Sequence, residues 1–594
     1  MCGIVGYIGD REAFPILLDS LRMVTYRGYD SYGVAVLNGD GISTQKSVGA
    51  VDQCSHDAGQ IHGTAGIGHT RWATVGAVSG PNAHPHEDCS GQIAIVHNGD
   101  IENYRELRAE LAAAGHVLKS DTDSEVIAHL IESYESGNIL AAVRKATRRL
   151  VGSYALVVLH RPTRCLVVAR QQSPLVVGLG DSEAFVASDV PALLPYTHQV
   201  VYLADGDLGL IGKGGLSVWH DGVEVERPVH VVEWEAGQLT KGGFEHYMLK
   251  EIHEQPDAIR HTLGGYANSE QSTLQFKGII PVRAPDEVLL LGCGTSFHAA
   301  LVGEQLLTAA LGVPVRACVA SEYTGVAKAR GKGLAIAMTQ SGETADTVTA
   351  AVRAKAAGYS VLAITNVPES SISRLADGTF YTKAGPEVAV AATKTFTAQL
   401  VALEMLAMEL AATSRVEAAA IELRRLPNAV EQALMASEAV RSAGKMLASY
   451  EKLFIIAKGA NIPVAMEGAL KFKEVAYLHT EGCPAGELKH GPFALLGAET
   501  PVIAIVPSDG DRPRMLNAMR EIATRGSRLV ALVDGNDEEA AELSDVVIQA
   551  PKVGAALQPI VNTVMLQLLS YYCALERGCP IDRPRNLAKS VTVL

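Results

Sequence analysis

Leu334-Ala-Ile-Ala-Met-Thr-Gln-Ser-Gly-Glu-Thr344, followed by Ala345-Asp-Thr-Val-Thr-Ala-Ala-Val352, decides the fold of the second half of the chain. Leu334 to Met338 are apolar without alternation, the pattern of a strand buried on both faces. Thr339 to Thr344 form a hydroxyl-rich turn around a glycine, and the alanine-rich run beyond it reads as a helix. Strand, turn and helix in that order make one βα unit of a parallel sheet. The turn sets Thr339, Gln340, Ser341 and Thr344 at a helix N-terminus, where backbone N–H groups and the helix dipole attract anions. Simple capping would place the same hydroxyls there. Cys293-Gly-Thr-Ser296 follows the apolar run from Val288 in the same way and adds Thr295 and Ser296. Two such turns in one domain favour a phosphate. No Walker lysine pattern occurs, so a nucleoside triphosphate is not indicated.

This unit is repeated. Val288-Leu-Leu-Leu-Gly-Cys-Gly294 resembles Leu453-Phe-Ile-Ile-Ala-Lys-Gly459, and Leu334 to Ser341 resembles Pro501-Val-Ile-Ala-Ile-Val-Pro-Ser508. The offset of about 165 residues is that of a duplicated domain, since solenoid units are far shorter. In the copy, Val506 stands for Thr339 and Asp511 for Thr344. A carboxylate repels a phosphate, so only the first copy is expected to bind one. The copy instead carries Glu467-Gly-Ala-Leu-Lys-Phe-Lys-Glu474 and then Glu487-Leu-Lys-His-Gly-Pro492. On a helix Glu467, Lys471 and Glu474 share one face. They read either as a solvated salt-bridged surface or as groups that move a proton beside a carbonyl.

The first 240 or so residues have a different texture, β-rich with helical insertions. Ile93–Val96, Ala155–Leu159 and Cys165–Ala169 read as strands; Asn103–Ala114 and Ser124–Glu135 read as helices. Gly237–Gly243 looks like a boundary, and Phe244–Leu263 is helical in pattern. Length alone gives about four domains; texture gives three folded units, one β-rich and two α/β.

Composition excludes several classes. Hydrophobic residues are 48% and charged residues 20%, as in folded proteins rather than disordered ones. A net charge of −14 argues against a nucleic-acid or anionic-membrane binder. The most apolar stretch, Val388 to Thr413, is interrupted by Lys394, Gln399, Glu404 and Glu409 and reads as a buried helix, not a membrane span. No basic and apolar leader precedes the first strand. Nine scattered cysteines with no C-x-x-C fit a reduced cytoplasm, with no structural metal and no cofactor expected.

The first chemical signal is Met1-Cys2-Gly3. With Met1 removed, Cys2 carries a thiol and a free α-amine, and an amine of pKa about 7.7–8.0 serves as a general base near neutrality. An ordinary second residue is the bland alternative. His69-Thr-Arg-Trp-Ala-Thr74 adds a cation and hydroxyls; His97-Asn-Gly-Asp-Ile-Glu-Asn-Tyr104 offers the Asn98 amide and a tight backbone at Gly99, both suited to an oxyanion. In Ser120-Asp-Thr-Asp-Ser-Glu125, Asp121 and Thr122 are equally readable as helix caps.

Cys2-Gly-Ile-Val-Gly, Tyr26-Arg-Gly-Tyr-Asp30, the His69 run, Asn82-Ala-His-Pro-His86, the Asn98 run and Asp121-Thr-Asp-Ser-Glu125 occur in the order in which class II glutamine amidotransferases carry them. The resemblance covers most of the first 240 residues. It implies that Cys2 attacks the glutamine carboxamide, that Asn98 and the Gly99 N–H form the oxyanion hole, and that Arg71 and Asp123 hold the substrate carboxylate and ammonium. Trp72, Thr74 and His84 would shape the pocket, with Trp72 near the ammonia exit. Val75 and Tyr32 depart from the pattern, which usually has His and a small residue.

The duplicated half resembles paired sugar-isomerase-type (SIS) domains. With the ending Pro584-Arg-Asn-Leu-Ala-Lys-Ser-Val591, the chain resembles the isomerizing, glutamine-dependent aminotransferases of ketose phosphates along nearly its whole length. The implied architecture is a multidomain α/β and α+β chain. An N-terminal nucleophile (Ntn) αββα glutaminase domain spans 2–238 and a helical connection 239–279. Two doubly wound parallel α/β domains span 280–419 and 444–584, and a tail 585–594. The implied substrates are L-glutamine and fructose 6-phosphate. Thr295, Ser296, Thr339, Gln340, Ser341 and Thr344 would line the sugar-phosphate site. Lys589 would form an imine at C2, and Glu474, aided by Lys471, would move the proton between C1 and C2. His490 would assist ring opening from the neighbouring subunit of a homodimer, and the tail would contribute to an ammonia channel. Thr339, Ala392 and Leu594 stand where Ser, Ser and Glu are usual. A purine-pathway or asparagine-forming amidotransferase does not fit the duplicated half. A paralogue for another ketose phosphate and a sugar-phosphate sensor with a dead glutaminase remain alternatives.

Overall fold

The computed structural model describes residues 2–39, 41–53, 61–212, 215–232, 234–266, 279–411, 416–435 and 437–592. Its compact units divide between Thr240 and Lys241, with the tail from Ser590 grouped with the first.

The first unit stacks two antiparallel sheets, one of eight strands and one of seven. Gly3–Ile8 is central in the first sheet, between Ala65–Arg71 and Glu183–Ala187. Ile93–Ile101 lies in the second, paired with Gly152–His160. Alternate side chains of both sheets meet in one apolar layer, with Ile4, Ile67 and Val186 from one side and Val96, Val157 and Val168 from the other. The opposite face of the second sheet is covered by the helices Glu125–Tyr134 and Ile139–Thr147. Helix Ala13–Met23 covers the first sheet. The result is the αββα order.

The second unit holds two five-stranded parallel sheets of the same topology. In the first, Val315–Val319, Glu287–Gly292, Gly333–Met338, Ser360–Thr365 and Gly378–Tyr381 lie side by side in that order. In the second the order is His479–Pro484, Lys452–Ala457, Val502–Val506, Leu529–Asp534 and Val546–Ala550. Each follows the doubly wound order 2-1-3-4-5, whose switch point opens a crevice at the carboxyl ends of the first and third strands. In the first sheet those ends are Gly292 and Met338, the strands that run into 293–296 and 339–344. Helices Thr295–Leu311, Lys394–Leu410, Ile462–Ala476 and Gln558–Glu576 fill the space between the sheets. One continuous apolar core runs from Leu290 and Ile336 through Leu403 and Phe472 to Ile455 and Ile503.

The apolar stretch from Val388 becomes a helix only at Lys394, where Glu387 accepts the backbone N–H groups of Thr393 and Thr395 at the helix start. The helical pattern 244–263 divides at Glu254 into Tyr247–His253 and Gln255–Gly264, with Pro256 in the first turn of the second helix. Among the described residues, no helix is long and apolar enough to cross a membrane. Met1 and Leu594 lie outside the described residues.

Candidate active sites

Gly3 pairs with Thr70, so Cys2 stands beside the residues that leave the neighbouring strand. The Trp72 N–H donates to Cys2 Sγ across 3.3 Å. The Cys2 carbonyl accepts from Asn98 Nδ2 at 2.9 Å and from Arg27 Nε at 3.2 Å. Asp189 fixes Arg27 at 2.9 Å and also accepts from Tyr26 Oη at 2.7 Å. Cys2 and the Asn98 amide, 96 residues apart in sequence, thus meet at one point. Burial pushes the Cys2 thiol up, against the opposing pull of the Trp72 N–H and Arg71, while Asp123 raises it further.

Asn98 is itself oriented. His69 Nε2 lies 3.1 Å from Asn98 Oδ1 and 3.0 Å from the His97 carbonyl, two acceptors, so Nε2 carries the proton. Burial lowers His69 to about 3, which keeps the ring neutral. A neutral donor to Oδ1 leaves the Asn98 NH2 group aimed at Cys2. Gly99 follows at φ +132°, and a Cβ there would lie 2.0 Å from the Ser153 carbonyl oxygen. Only glycine fits the sheet at this point.

Arg71 turns its guanidinium onto the following loop, donating to the carbonyls of Val75 at 2.6 Å, Gly76 at 3.0 Å and Ala77 at 3.1 Å. The Val75 contact uses the main chain, so it survives the departure from His at that position. Asp30 holds the Ala73 N–H at 2.9 Å. Trp72 meets Tyr29 edge to face at 5.6 Å, and Thr74 is exposed on the loop. Asp123 accepts from the Ile101 N–H at 2.9 Å, at the end of the strand that carries Asn98. Thr122 accepts from the Glu125 N–H at 3.3 Å, just ahead of helix Glu125–Tyr134, whose N-cap position is Ser124. His84 is buried, stacked on His69 at 3.9 Å, a support for that ring.

At the first switch point, Thr339 and Thr344 share a hydroxyl contact of 2.9 Å, which closes the turn ahead of helix Ala345–Ala356. Gly342 has φ +72°, and a Cβ there would lie 2.0 Å from Ser370 Oγ. Ser341 Oγ accepts the Glu343 N–H at 3.2 Å, and Ser296 Oγ accepts from Gln399 at 3.1 Å. The Gln340 carbonyl, rather than its side chain, anchors the turn through the Asn366 N–H at 3.1 Å. Thr295 belongs to another set. Its hydroxyl donates to Glu467 at 3.0 Å and accepts from Lys471 at 3.2 Å.

Glu467, Lys471 and Glu474 do share one helix face, and it is buried rather than solvated. Lys471 Nζ is fully buried, 3.2 Å from Glu467 and 2.6 Å from Glu474. His298 Nδ1 contacts the other Glu467 oxygen at 2.7 Å. Burial disfavours the Lys471 charge, but its two carboxylates outweigh that and raise it. The 19% exposure of Glu474 makes it the member of the trio that faces outward. His490 is exposed in a short 3-10 turn, Ala485–His490. In the second copy, Asp511 precedes helix Arg512–Ala523, and Ser508 N–H donates to Asp534 at 3.1 Å. That turn is lined by carboxylates.

Lys589 forms an ion pair with Glu387, both buried. Burial alone would raise Glu387; Lys589 and the Thr393 and Thr395 donors hold it down at about 2. Beside it Glu251 is pushed up to about 8 by burial and by Glu387. Glu387, His298 and Asp189 escaped the sequence reading, and Arg27 was read only as part of the Tyr26–Asp30 motif. A single carboxylate in the apolar run from Pro386 was the one available signal for Glu387.

A glutamine amidotransferase domain model matches residues 69–195, and the SIS domain model matches 283–409 and 446–577. A Thermococcus kodakarensis protein named glutamine–fructose-6-phosphate aminotransferase (isomerizing) is 46% identical over 609 residues, covering 100% of both chains. A protein of the same name from Thermus thermophilus is 43% identical over 605 residues, again covering 100% of each. Among solved structures, the C-terminal domain of glucosamine-fructose-6-phosphate aminotransferase from Francisella tularensis matches 58% of this chain and 99% of its own, at 33% identity and a TM-score of 0.54. Full-length identity, both domain matches and the two side-chain constellations agree: the chain belongs to the glutamine–fructose-6-phosphate aminotransferase (isomerizing) family of class II amidotransferases.

Proposed function

We propose that the protein takes ammonia from L-glutamine and places it on fructose 6-phosphate, giving glutamate and glucosamine 6-phosphate. The observation that carries this reading is the convergence at Cys2 of a thiol, the Asn98 amide and the Trp72 N–H in a chain that also holds a buried Lys471–Glu474 pair.

At the first site, Cys2 Sγ attacks the carboxamide carbon after its proton passes to the α-amine freed by Met1 removal. One Asn98 N–H rests on the Cys2 carbonyl, and the second N–H of that amide, with Gly99, meets the developing oxyanion. Collapse expels ammonia and leaves a thioester, which water hydrolyses to glutamate. Arg71 and Asp123 bind the amino-acid end, and Trp72, Thr74 and His84 shape or support the pocket.

At the second site, the 339–344 turn, with Thr295 and Ser296 alongside, receives the phosphate at a helix N-terminus. Lys589 forms an imine at C2 of the open-chain ketose, and ammonia displaces the lysine. Glu474 then takes a proton from C1 and returns it to C2, with Lys471 holding the carboxylate in place. His490 opens the sugar ring.

A homodimer in the cytoplasm, acting on neither membrane nor nucleic acid, belongs to the same reading. It is supported by the exposed His490, by the net charge of −14 and by the free thiols of all described cysteines. The test is incubation with glutamine and several ketose phosphates, followed by mass spectrometry. Glutamate and glucosamine 6-phosphate are expected in equal amounts; glutamate with no aminated sugar would overturn the proposal.

A further inference from the structure

Away from Cys2, the glutaminase unit gathers Cys89, His116, His129 and Glu132, whose ligand atoms all lie within 4.8 Å of one another. Cys89 follows the short strand His86–Glu87, His116 follows helix Tyr104–Ala113, and His129 and Glu132 stand one turn apart on helix Glu125–Tyr134. Cys89 Sγ is 3.5 Å from His129 Nδ1 and 3.9 Å from His116 Nδ1. Glu132 Oε2 is 2.9 Å from His116 Nδ1 and 3.3 Å from His129 Nδ1.

Four of the six separations in the set thus fall between 2.9 and 3.9 Å, and the others lie within 4.8 Å. Zinc bonds of about 2.0–2.1 Å to nitrogen or oxygen and about 2.3 Å to sulfur give tetrahedral edges of about 3.3 Å between N and O and about 3.6 Å between N and S. The surroundings match as well. The Val117 N–H points at Cys89 Sγ at 3.4 Å, a donor suited to a thiolate. His129 turns its other nitrogen, Nε2, toward Glu125 Oε1 at 3.7 Å. Glu125 is fixed in turn by the N–H groups of Lys119 and Ser120, each at 2.7 Å.

We infer that Cys89, His116, His129 and Glu132 form a structural zinc site. A thiolate with two imidazoles and one carboxylate suits a borderline-soft divalent ion rather than magnesium or calcium. Binding releases the Cys89 proton, and thiolate plus carboxylate then balance the two positive charges. Four protein ligands leave no open position, so the ion holds structure rather than activating water. It fastens the turn that carries Asp123, through helix Glu125–Tyr134, to the segment that enters the Asn98 strand. Sequence spacing hid the site, because its ligands come from three separate segments without a local Cys or His pair.

The test uses the full chain, stripped with chelator and titrated with Zn2+ and, separately, Co2+. One tightly bound zinc per chain is expected, together with a thiolate-to-cobalt charge-transfer band. Cys89→Ser should abolish that band and weaken Zn2+ binding by more than about 100-fold. Glu125→Gln should weaken it less than Cys89→Ser does, because Glu125 faces His129 Nε2 as a charge beyond hydrogen-bond distance. Absence of stoichiometric Zn2+ binding in the wild-type chain would overturn the inference, and so would equal affinity in Cys89→Ser and His116→Ala. The wild-type titration decides independently of whether any variant folds.

Discussion

Lys589 donates through Nζ to Glu387 Oε2, with the carboxylate fully buried and the lysine side chain 5% exposed. The pair holds the proposed imine nitrogen at a fixed place near the end of the chain. Borohydride reduction in the presence of fructose 6-phosphate should therefore label Lys589, read by peptide mass spectrometry. Label on Lys471 instead would reverse the two lysines' roles. Glu387→Ala leaves a buried ammonium unpaired and should cost about 3–5 kcal/mol of stability as well as the label.

Cys2→Ala should abolish glutamine-dependent synthesis and leave ketose–aldose isomerisation measurable, because Glu474 and Lys471 lie in the other unit. Asn98→Ala should lower the glutaminase kcat by about 100- to 1000-fold, the usual cost of one oxyanion donor. The mature mass should correspond to a chain beginning at Cys2; a fully active chain retaining Met1 would exclude the α-amine as base.

Lys471 sits fully buried between Glu467 and Glu474. Lys471→Ala strands two carboxylates and should destabilise the duplicated half by about 3–5 kcal/mol. Denaturation of the purified variant measures this. An unchanged unfolding midpoint would mean that the charges relax into water.

Burial lifts Glu404 from its ordinary 4.5 to about 8. The folded chain then keeps a proton that the unfolded chain gives up. The corresponding stability is full below pH about 4.5 and is lost as pH rises toward 8. Glu404→Gln should match the wild type at pH about 4 and gain Tm relative to it progressively up to pH about 8. A pH-independent difference in Tm between the two would contradict this.

Ala392, where the family resemblance implies a serine, lies just ahead of helix Lys394–Leu410. One missing hydrogen bond is worth about 0.5–1.5 kcal/mol, so Ala392→Ser should change kcat/KM for fructose 6-phosphate by about two- to twelvefold. A preference of more than about 100-fold for another ketose phosphate exceeds what this contact can supply and would move the substrate.

The paired parallel α/β architecture was legible from periodicity, whereas the αββα order of the first unit was implied only by the resemblance of its motifs. Unbroken apolar runs such as Leu334 to Met338 marked parallel strands, and the repeat of that run at Pro501 marked the duplication. The shared face of Glu467, Lys471 and Glu474 was legible too, but its burial was not. That depends on Thr295 and His298 arriving from a helix about 170 residues earlier. Likewise Cys2 and Asn98 announce themselves as residue types, whereas His69 as the ring that orients Asn98 needs the two sheets stacked. Long-range partners of this kind leave no local period to read.

The core shared by the two α/β halves has a consequence for how this chain can be divided. Leu403 of the first half and Phe472 of the second belong to the same unbroken apolar interior. Its junction resembles the interface of an obligate dimer, a domain core cut in two, here made permanent by a peptide connection. Cleaving the chain just after Ala411, ahead of the core helix Val416–Met435, should leave a nicked pair that stays together and folded, whereas either half expressed alone would bare that interior and aggregate. A shared interior thus does the work of a subunit interface, while each copy keeps its own polar set, the hydroxyls of 339–344 in one and Glu467, Lys471 and Glu474 in the other.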